Sequence, residues 1–424
     1  MKAKGVILIV FLVSWLVTAA FGGGKQEAEV ETGKKITLDF WNYWDGKNGE
    51  VLKSLLEEYQ TANPNITITN IFIGWGELLP KLQTASAGGK MPDLAAVDLV
   101  WMPKLAGSGA LTVLNDSIKK SGLDIKDFYP ELLKVSRYNG NYYSLPVSTN
   151  NLELFYNKDM FRAAGLEINK APKTWAELAE YGGKLTKADG SQWGFEVFTQ
   201  PGEGLTWQSQ VYIWQTGADF LDEGLAKPAF DSPGGVKAIS FLVDLVRKSK
   251  IAPLTNWGVF GQGKAAMVMD GSWMVGIWSE SAPFDWGTAP MPIPEGGKPA
   301  TNMGGEQIFI GKTTPENEAS AWNFIYWFTG TAAQVKWDMG TGFMPIRDSV
   351  AKDSTYRNWI TSTESRLWPF VESQKYAHSR PAITNYPEVS DAYSTEIEKA
   401  FYGKLTPEEA LKSAAARVAP LLKK

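Results

Sequence analysis

From residue 36 the sequence alternates between short apolar, β-branched runs and longer segments of helical periodicity, and this alternation restricts the fold more than any other feature. "ITLDFW" (36–41) precedes a segment over about 47–62 in which Val51, Leu52, Leu55, Leu56 and Tyr59 recur with helical spacing. After the Asn63-Pro64 break comes "NITITNIFI" (65–73), then a helix expected near 76–87 that stops at Gly88-Gly89, then "DLAAVD" (93–98). Strand, helix, strand in repetition specifies an α/β fold with a largely parallel sheet, because a parallel neighbour is reached only through a crossover. Ligands of such sheets bind beyond the carboxyl ends of the strands. Trp44, Asp45, Trp75, Glu77, Asp98 and Trp101 all fall just past expected strand ends, so topology alone gathers them on one rim.

The later helices announce their starts. Thr174 with Glu177, Thr314 with Pro315, and Thr406 with Pro407 and Glu409 are capping patterns, and 236–250 reads as an amphipathic helix with a basic end. A chain of 424 residues accommodates two domains of ordinary size. Lys2 and Lys4, the apolar run Val6 to Leu16 and the small residues of "VTAAFGGG" form a signal peptide over 1–24, cleaved between Ala20 and Gly24. "KQEAEVETGKK" (25–35) is a polar tether.

Composition removes several chemistries. A net charge of −4 argues against nucleic acid and against polybasic membrane attachment. With no Cys and the single His378, thiol catalysis, Cys-based zinc sites, disulfides and a Cys-linked lipid anchor are excluded. A Ser-His-Asp triad would have to use His378, and no G-x-S-x-G elbow accompanies it. No phosphate-binding loop, dinucleotide fingerprint, H-E-x-x-H or EF-hand loop occurs, so no cofactor and no metal is implied. Paired carboxylates remain, since Asp45, Glu77, Asp98 and Asp270 are candidates for one cleft and a glycosidase needs only two. The 18 Trp residues, many beside Asp, Asn or Gly, favour another use. Aromatics, carboxylates and amides around one cleft suit a polyol, whose apolar faces stack on indoles while its hydroxyls are fixed by polar side chains.

At this point an ordered set of segments carries a resemblance. "YNGNYYSLPVSTNNLELFYNKDMFRAAGL" (138–166), "PKTWAEL" (172–178), "FGQGKAAMVMDGSW" (260–273), the long run 287–328 and "TGFMPIRDS" (341–349) resemble the solute-binding proteins of bacterial ABC sugar importers, the maltose-binding-protein-like family. The resemblance implies a type II periplasmic-binding fold, with two α/β lobes, three hinge crossings and a ligand cleft between the lobes. The crossings are expected near Pro146–Leu152, Ala300–Gly305 and Gly342–Arg347. One lobe then comprises 36–147 plus 304–343, and the other 152–300 plus 348–424.

The resemblance also implies a site. Trp44 and Asp45 occupy the first strand-to-helix loop, Glu77 follows the second strand, and Asp98 with Trp101 ends the third. Trp41 is expected buried beneath them. Asn150 and Asn151 sit on the first crossing, Trp273 of "DGSW" matches the stacking aromatic of the second lobe, and Trp207 of "GLTWQS" matches another. Gly304 and Gly305 are expected to bring backbone to the ligand, and Arg380 of "SRP" to face the cleft. Trp322 and Trp327 are expected in the core. The implied protein is a monomeric, non-enzymatic periplasmic receptor for a sugar or oligosaccharide that partners the membrane subunits of an ABC permease. Two alternatives stay open: a secreted glycoside hydrolase using cleft carboxylates, and a receptor for a glycerol-3-phosphate-like ligand with Arg380 as the phosphate partner.

Overall fold

The structure, a computed structural model, describes residues 34–423. The expected signal peptide and nearly all of the tether lie outside the described residues. Strand β1 spans Ile36–Asn42, helix α1 Gly46–Ala62, β2 Ile66–Phe72, α2 Trp75–Ala87 and β3 Leu94–Asp98. Helix α1 buries Leu52, Leu55, Leu56 and Tyr59, one stripe at the spacing that helical geometry requires. With α1 and α2 as crossovers, β1 lies parallel to both β2 and β3.

Two further strands complete this five-stranded sheet: Glu306–Ile310 runs antiparallel beside β3, and Ser144–Pro146, antiparallel to Glu306–Ile310, runs in the direction of β1–β3. A second, three-stranded sheet places Leu152–Asn157 between Met267–Gly271 and Trp286–Ala289, again antiparallel. The largely parallel arrangement expected from the sequence therefore holds for the first sheet, in which four of five strands run one way, and not for the second. The remaining strands arrive from separate excursions of the chain, and an antiparallel strand needs no crossover helix.

Both sheets are covered on both faces. Along β3, Leu94 and Ala96 enter one apolar cluster while Ala95 and Val97 enter another. Along Leu152–Asn157, Leu152, Leu154 and Tyr156 share a cluster and Phe155 joins a different one. This is the period-two division of strands that read as nearly continuous apolar runs. Trp322 is buried on its helix and Trp327 packs partly buried against the same cluster. At Thr406 the capping box is complete, while at Thr174 the hydroxyl accepts from Glu177 N and the Glu177 carboxylate accepts from Lys173 N instead of from the cap residue. Among the described residues no helix is long and apolar enough to cross a membrane.

Where the chain passes between the sheets, three segments lie side by side. Asn150 and Gly304 exchange both backbone hydrogen bonds, at 3.2 and 2.8 Å, and Met344 N donates to Thr149 O at 2.9 Å. The packing leaves no room for a side chain at Gly304 or Gly305. A Cβ on Gly304 would lie 2.1 Å from Asn150 Oδ1, and one on Gly305, at φ +135°, would lie 2.3 Å from Ser148 O.

The second sheet also buries Glu153, whose carboxylate accepts from Met291 N at 2.6 Å. Burial pushes its pKa from 4.5 up to about 8. Between these values the folded chain holds a proton that the unfolded chain has lost, so stability falls as pH rises, by at most about 1.4 kcal/mol per pH unit for this group. Glu153→Gln keeps the acceptor and removes the titration. Denaturant unfolding from about pH 5 to about pH 8 is expected to give a flatter stability profile for the variant than for the parent; parallel profiles would contradict a protonated Glu153.

Candidate functional site

Beyond the carboxyl ends of β1 and β3, facing the second sheet, lies a cavity of about 240 Å³. Trp44, Asp45, Asp98, Asn150, Trp207, Trp273, Gly305 and Arg380 all line it. The crossing segments bring Asn150 and Gly305 to its floor. The helix Glu203–Gln215 carries Trp207, and the turn after strand Met267–Gly271 carries Trp273.

Its charges are locked together. The fork of Arg380 gives one nitrogen to Asp98 at 2.6 Å and shares the other between Asp98 at 3.2 Å and Glu203 at 2.8 Å. Arg380 and Asp98 are both buried. Asp98, ending β3, also accepts from Val100 N and so caps the short turn Leu99–Trp101. Glu203, opening its helix, accepts further bonds from Tyr386 Oη at 2.9 Å and Ser390 Oγ at 2.6 Å. Burial raises the Glu203 pKa, with the Arg380 charge pulling the other way. Directly across the strand pair from Asp98 stands Glu306. It accepts from Tyr43 Oη at 2.9 Å and from Ser148 Oγ, and burial pushes its pKa up to about 8. Burial thus favours the neutral acid of Glu306, a form that can donate as well as accept. Arg380 is the only cation lining this cavity among the described residues, and its charge is already matched by two carboxylates.

The aromatic wall follows from two glycines. In "DGSW" the Trp273 indole folds back over Gly271, where a Cβ would meet it at 1.7 Å. In that position it stacks on Trp207, centroids 5.4 Å apart and planes 11° from parallel. A Cβ on Gly304 would press on the Trp207 ring at 3.0 Å. The Arg380 guanidinium lies over the same ring at 5.2 Å. Trp44 Nε1, Asn150 Oδ1, Trp207 Nε1 and Arg380 Nε are buried without a protein partner. Each such group costs about 1–3 kcal/mol when left unpaired, and at this cavity a polar ligand could partner them.

Other expected residues take different places. Glu77 is exposed on α2 and pairs with Lys81 at 3.0 Å along the helix, because it falls on the solvent face one turn past the strand end. Trp101 is buried, packed on Tyr43 at 6.1 Å and beneath Trp75 at 5.2 Å. Asn151 points away from the cavity and donates to Phe370 O and Ser373 Oγ. Gly304 lies behind Asn150 and Trp207, making room for them without itself lining the cavity. The expectation for Trp41 reverses: Trp44 is the buried one, edge-on to Trp337 at 4.7 Å, and Trp41 is half-buried on the other face of β1. The cavity also recruits Tyr43, Asn48, Trp75, Trp257, Met274, Ile277, Glu306 and Phe343. Trp75 stood on the expected rim; the others carry no local signal, since their exposure depends on which helix face meets the opposite sheet.

Residues 43–335 match the model of the family described as bacterial extracellular solute-binding protein. The chain is 38% identical to the cyclic α-maltosyl-1,6-maltose binding protein of Arthrobacter globiformis, with a TM-score of 0.79 over 92% of this chain and 99% of that one. An ABC transporter solute-binding protein of Thermotoga lettingae, solved with α-D-tagatose, is 30% identical with a TM-score of 0.84, covering 92% and 100%. The sn-glycerol-3-phosphate-binding periplasmic protein of Escherichia coli K12 is 27% identical over 427 aligned positions, covering 92% of this chain and 93% of that one.

Removing the cation tests the locked cluster. Arg380→Met leaves Asp98 and Glu203 buried without their counter-charge and is expected to cost about 3–5 kcal/mol of folding stability. Adding Asp98→Asn to Arg380→Met should recover part of that loss. Denaturant unfolding measures both, and an Arg380→Met variant as stable as the parent would contradict the buried cluster.

Proposed function

This chain belongs to the bacterial extracellular solute-binding proteins, and from that membership we propose that it is the periplasmic carbohydrate receptor of an ABC importer. Its fold is the two-lobed type II periplasmic-binding fold. In our reading 36–147 with 304–343 form one lobe and 152–300 with 348–424 the other. Closure about the three crossings completes contacts to a sugar held between them, a population shift that the permease then reads. The signal peptide delivers the chain, without a lipid anchor, to the compartment where it works as a monomer.

The stacked pair Trp207 and Trp273 carries the carbohydrate assignment. Indole faces at a half-buried cavity wall, beside Glu306 and orphaned polar atoms, supply both the stacking and the donor–acceptor mixture that a sugar ring requires. Relatives named for a maltosyl-maltose ring and solved with tagatose agree with it.

Two features weigh against the alternatives. A free cation is one of the groups that hold a phosphate, and the one cation lining the cavity among the described residues, Arg380, is held by Asp98 and Glu203. Hydrolysis needs two carboxylates positioned at one bond, and of the four candidates Glu77 faces solvent, Asp98 is ion-paired and Asp270 is bonded to Trp257 and Gly271, which leaves Asp45 alone of the four at the cavity without such a tie.

The expected behaviour is saturable binding of a neutral sugar, with a change in tryptophan fluorescence and a rise in melting temperature. A ligand at a hundredfold excess over its Kd stabilises by roughly 2.7 kcal/mol. No new reducing ends should form during incubation with oligosaccharides. A broad sugar panel that leaves both signals flat while an amino acid or peptide shifts them would overturn the carbohydrate reading; turnover lost in Asp45→Asn would turn the receptor into a hydrolase.

A further inference from the structure

Glu306 opens its strand directly after the Gly304-Gly305 crossing, is only 6% exposed, and has a partner at each carboxyl oxygen. Ser148, on the neighbouring crossing segment, accepts from Glu306 N at 3.0 Å and gives its own hydroxyl proton to Glu306 Oε2. With Oε2 already accepting, the proton of a neutral Glu306 belongs on Oε1, the oxygen that lies 2.9 Å from Tyr43 Oη. Among the described residues Tyr43 Oη bonds to Glu306 alone, and both residues line the cavity. The Tyr43 ring is packed against Trp44 and Trp101, centroids 6.4 and 6.1 Å away, so its hydroxyl proton is the part left free to turn.

That proton has two places, because a phenolic hydrogen lies near the plane of its ring. Beside a Glu306 carboxylate, Tyr43 donates to Oε1 and offers a ligand only its oxygen lone pairs. Beside a Glu306 acid, Oε1–H donates to Tyr43 Oη, and the phenolic proton turns to the side away from Glu306. Ionisation releases the Glu306 proton to water, and no other group changes its proton count. The titratable groups facing Glu306 are Tyr43 beyond β1, Asp98 across the strand pair and Arg380 of the clamp. Burial and the Asp98 charge raise the Glu306 pKa, to about 8, while the Tyr43 bond and the Arg380 charge oppose them. Burial also raises the Tyr43 pKa, so the phenol keeps its proton while Glu306 changes state.

We propose that Glu306 is a positioning residue that sets the polarity of Tyr43 toward the ligand: as an acid it makes the Tyr43 hydroxyl a donor into the cavity, and as a carboxylate it leaves that hydroxyl an acceptor only. This rests on the carbohydrate reading above and adds a regulation of that site by pH. A sugar hydroxyl carries one proton and two lone pairs, so a sugar has more acceptor positions than donors, and a donating Tyr43 is the better match. Trp44 Nε1 and Trp207 Nε1, unpaired at the same cavity, are donors too. A bound sugar therefore favours the acid of Glu306, and affinity falls as pH rises through the Glu306 pKa.

The test titrates the full chain with D-glucose, D-mannose, D-xylose, maltose and maltotriose, and follows the tightest binder from about pH 6.5 to about pH 9.5, a span that brackets the Glu306 pKa of about 8. Parent affinity should fall roughly two- to tenfold across the series, the worth of one hydrogen bond. Glu306→Gln, which cannot ionise, and Tyr43→Phe, which has no phenolic proton to turn, should both give flat profiles. Glu153→Gln removes an acid that titrates in the same range but lines a different cavity, and it should keep the parent's slope. Calorimetry in two buffers of unlike ionisation heat should find proton uptake on binding by the parent and none by Tyr43→Phe. Since Tyr43→Phe keeps the packed ring, it remains informative if Glu306→Gln does not fold. A flat parent profile, or a slope that Tyr43→Phe retains in full, would overturn this role of Glu306 and leave the carbohydrate reading standing. Failure of the parent to bind any of the sugars would overturn the carbohydrate reading, and this inference with it.

Discussion

The clamp of Arg380 on Asp98 and Glu203 is the interaction on which the rest of the site depends. One partner ends β3 of the first sheet, and the other opens a helix that packs over the second. A buried guanidinium is tolerable only when paired, so in the arrangement seen here the end of β3 and the start of that helix are held together, and parting them returns the charges to water. Trp207, one turn into the helix and beneath the guanidinium, takes its position from this constraint. Trp273 takes its own from Trp207. An electrostatic clamp thus orients an aromatic wall, and the same pairing consumes the positive charge that an anionic ligand would seek.

Small residues do the complementary work. Gly304 clears space for Asn150 and Trp207, and Gly271 clears space for the Trp273 indole. Both are glycines because side chains elsewhere occupy the volume a Cβ would need, and only Gly305, among the crossing glycines at the cavity, also needs its positive φ. The three adjacent crossing segments carry the cavity floor, so a change in their twist alters the distance between the walls.

Much of this was legible in the sequence, for identifiable reasons. The first sheet was readable because strand, helix and strand follow one another locally, and the residues past its strand ends fall near the cavity by topology. Trp273 and Arg380 were reached through ordered motifs. Glu77 and Trp101 lie off the cavity lining because a residue just past a strand end has two directions to face, and the helix phase that chooses between them is set by packing. The antiparallel second sheet and the pairing of Glu306 with Asp98 depend on contacts more than a hundred residues apart, which periodicity does not report. Asp270 counted as one carboxylate among four; only its distance to Trp257 shows what it holds.

Among the described residues the cavity has one cation, Arg380, and two carboxylates already hold it. Calorimetric titration of the same preparation with neutral oligosaccharides and with glycerol 3-phosphate addresses it directly. The account predicts saturable heat from a neutral sugar and none from glycerol 3-phosphate at comparable concentrations. Tight binding of glycerol 3-phosphate with no response to any neutral sugar would mean that Arg380 leaves Asp98 and Glu203 for a phosphate, and would contradict it.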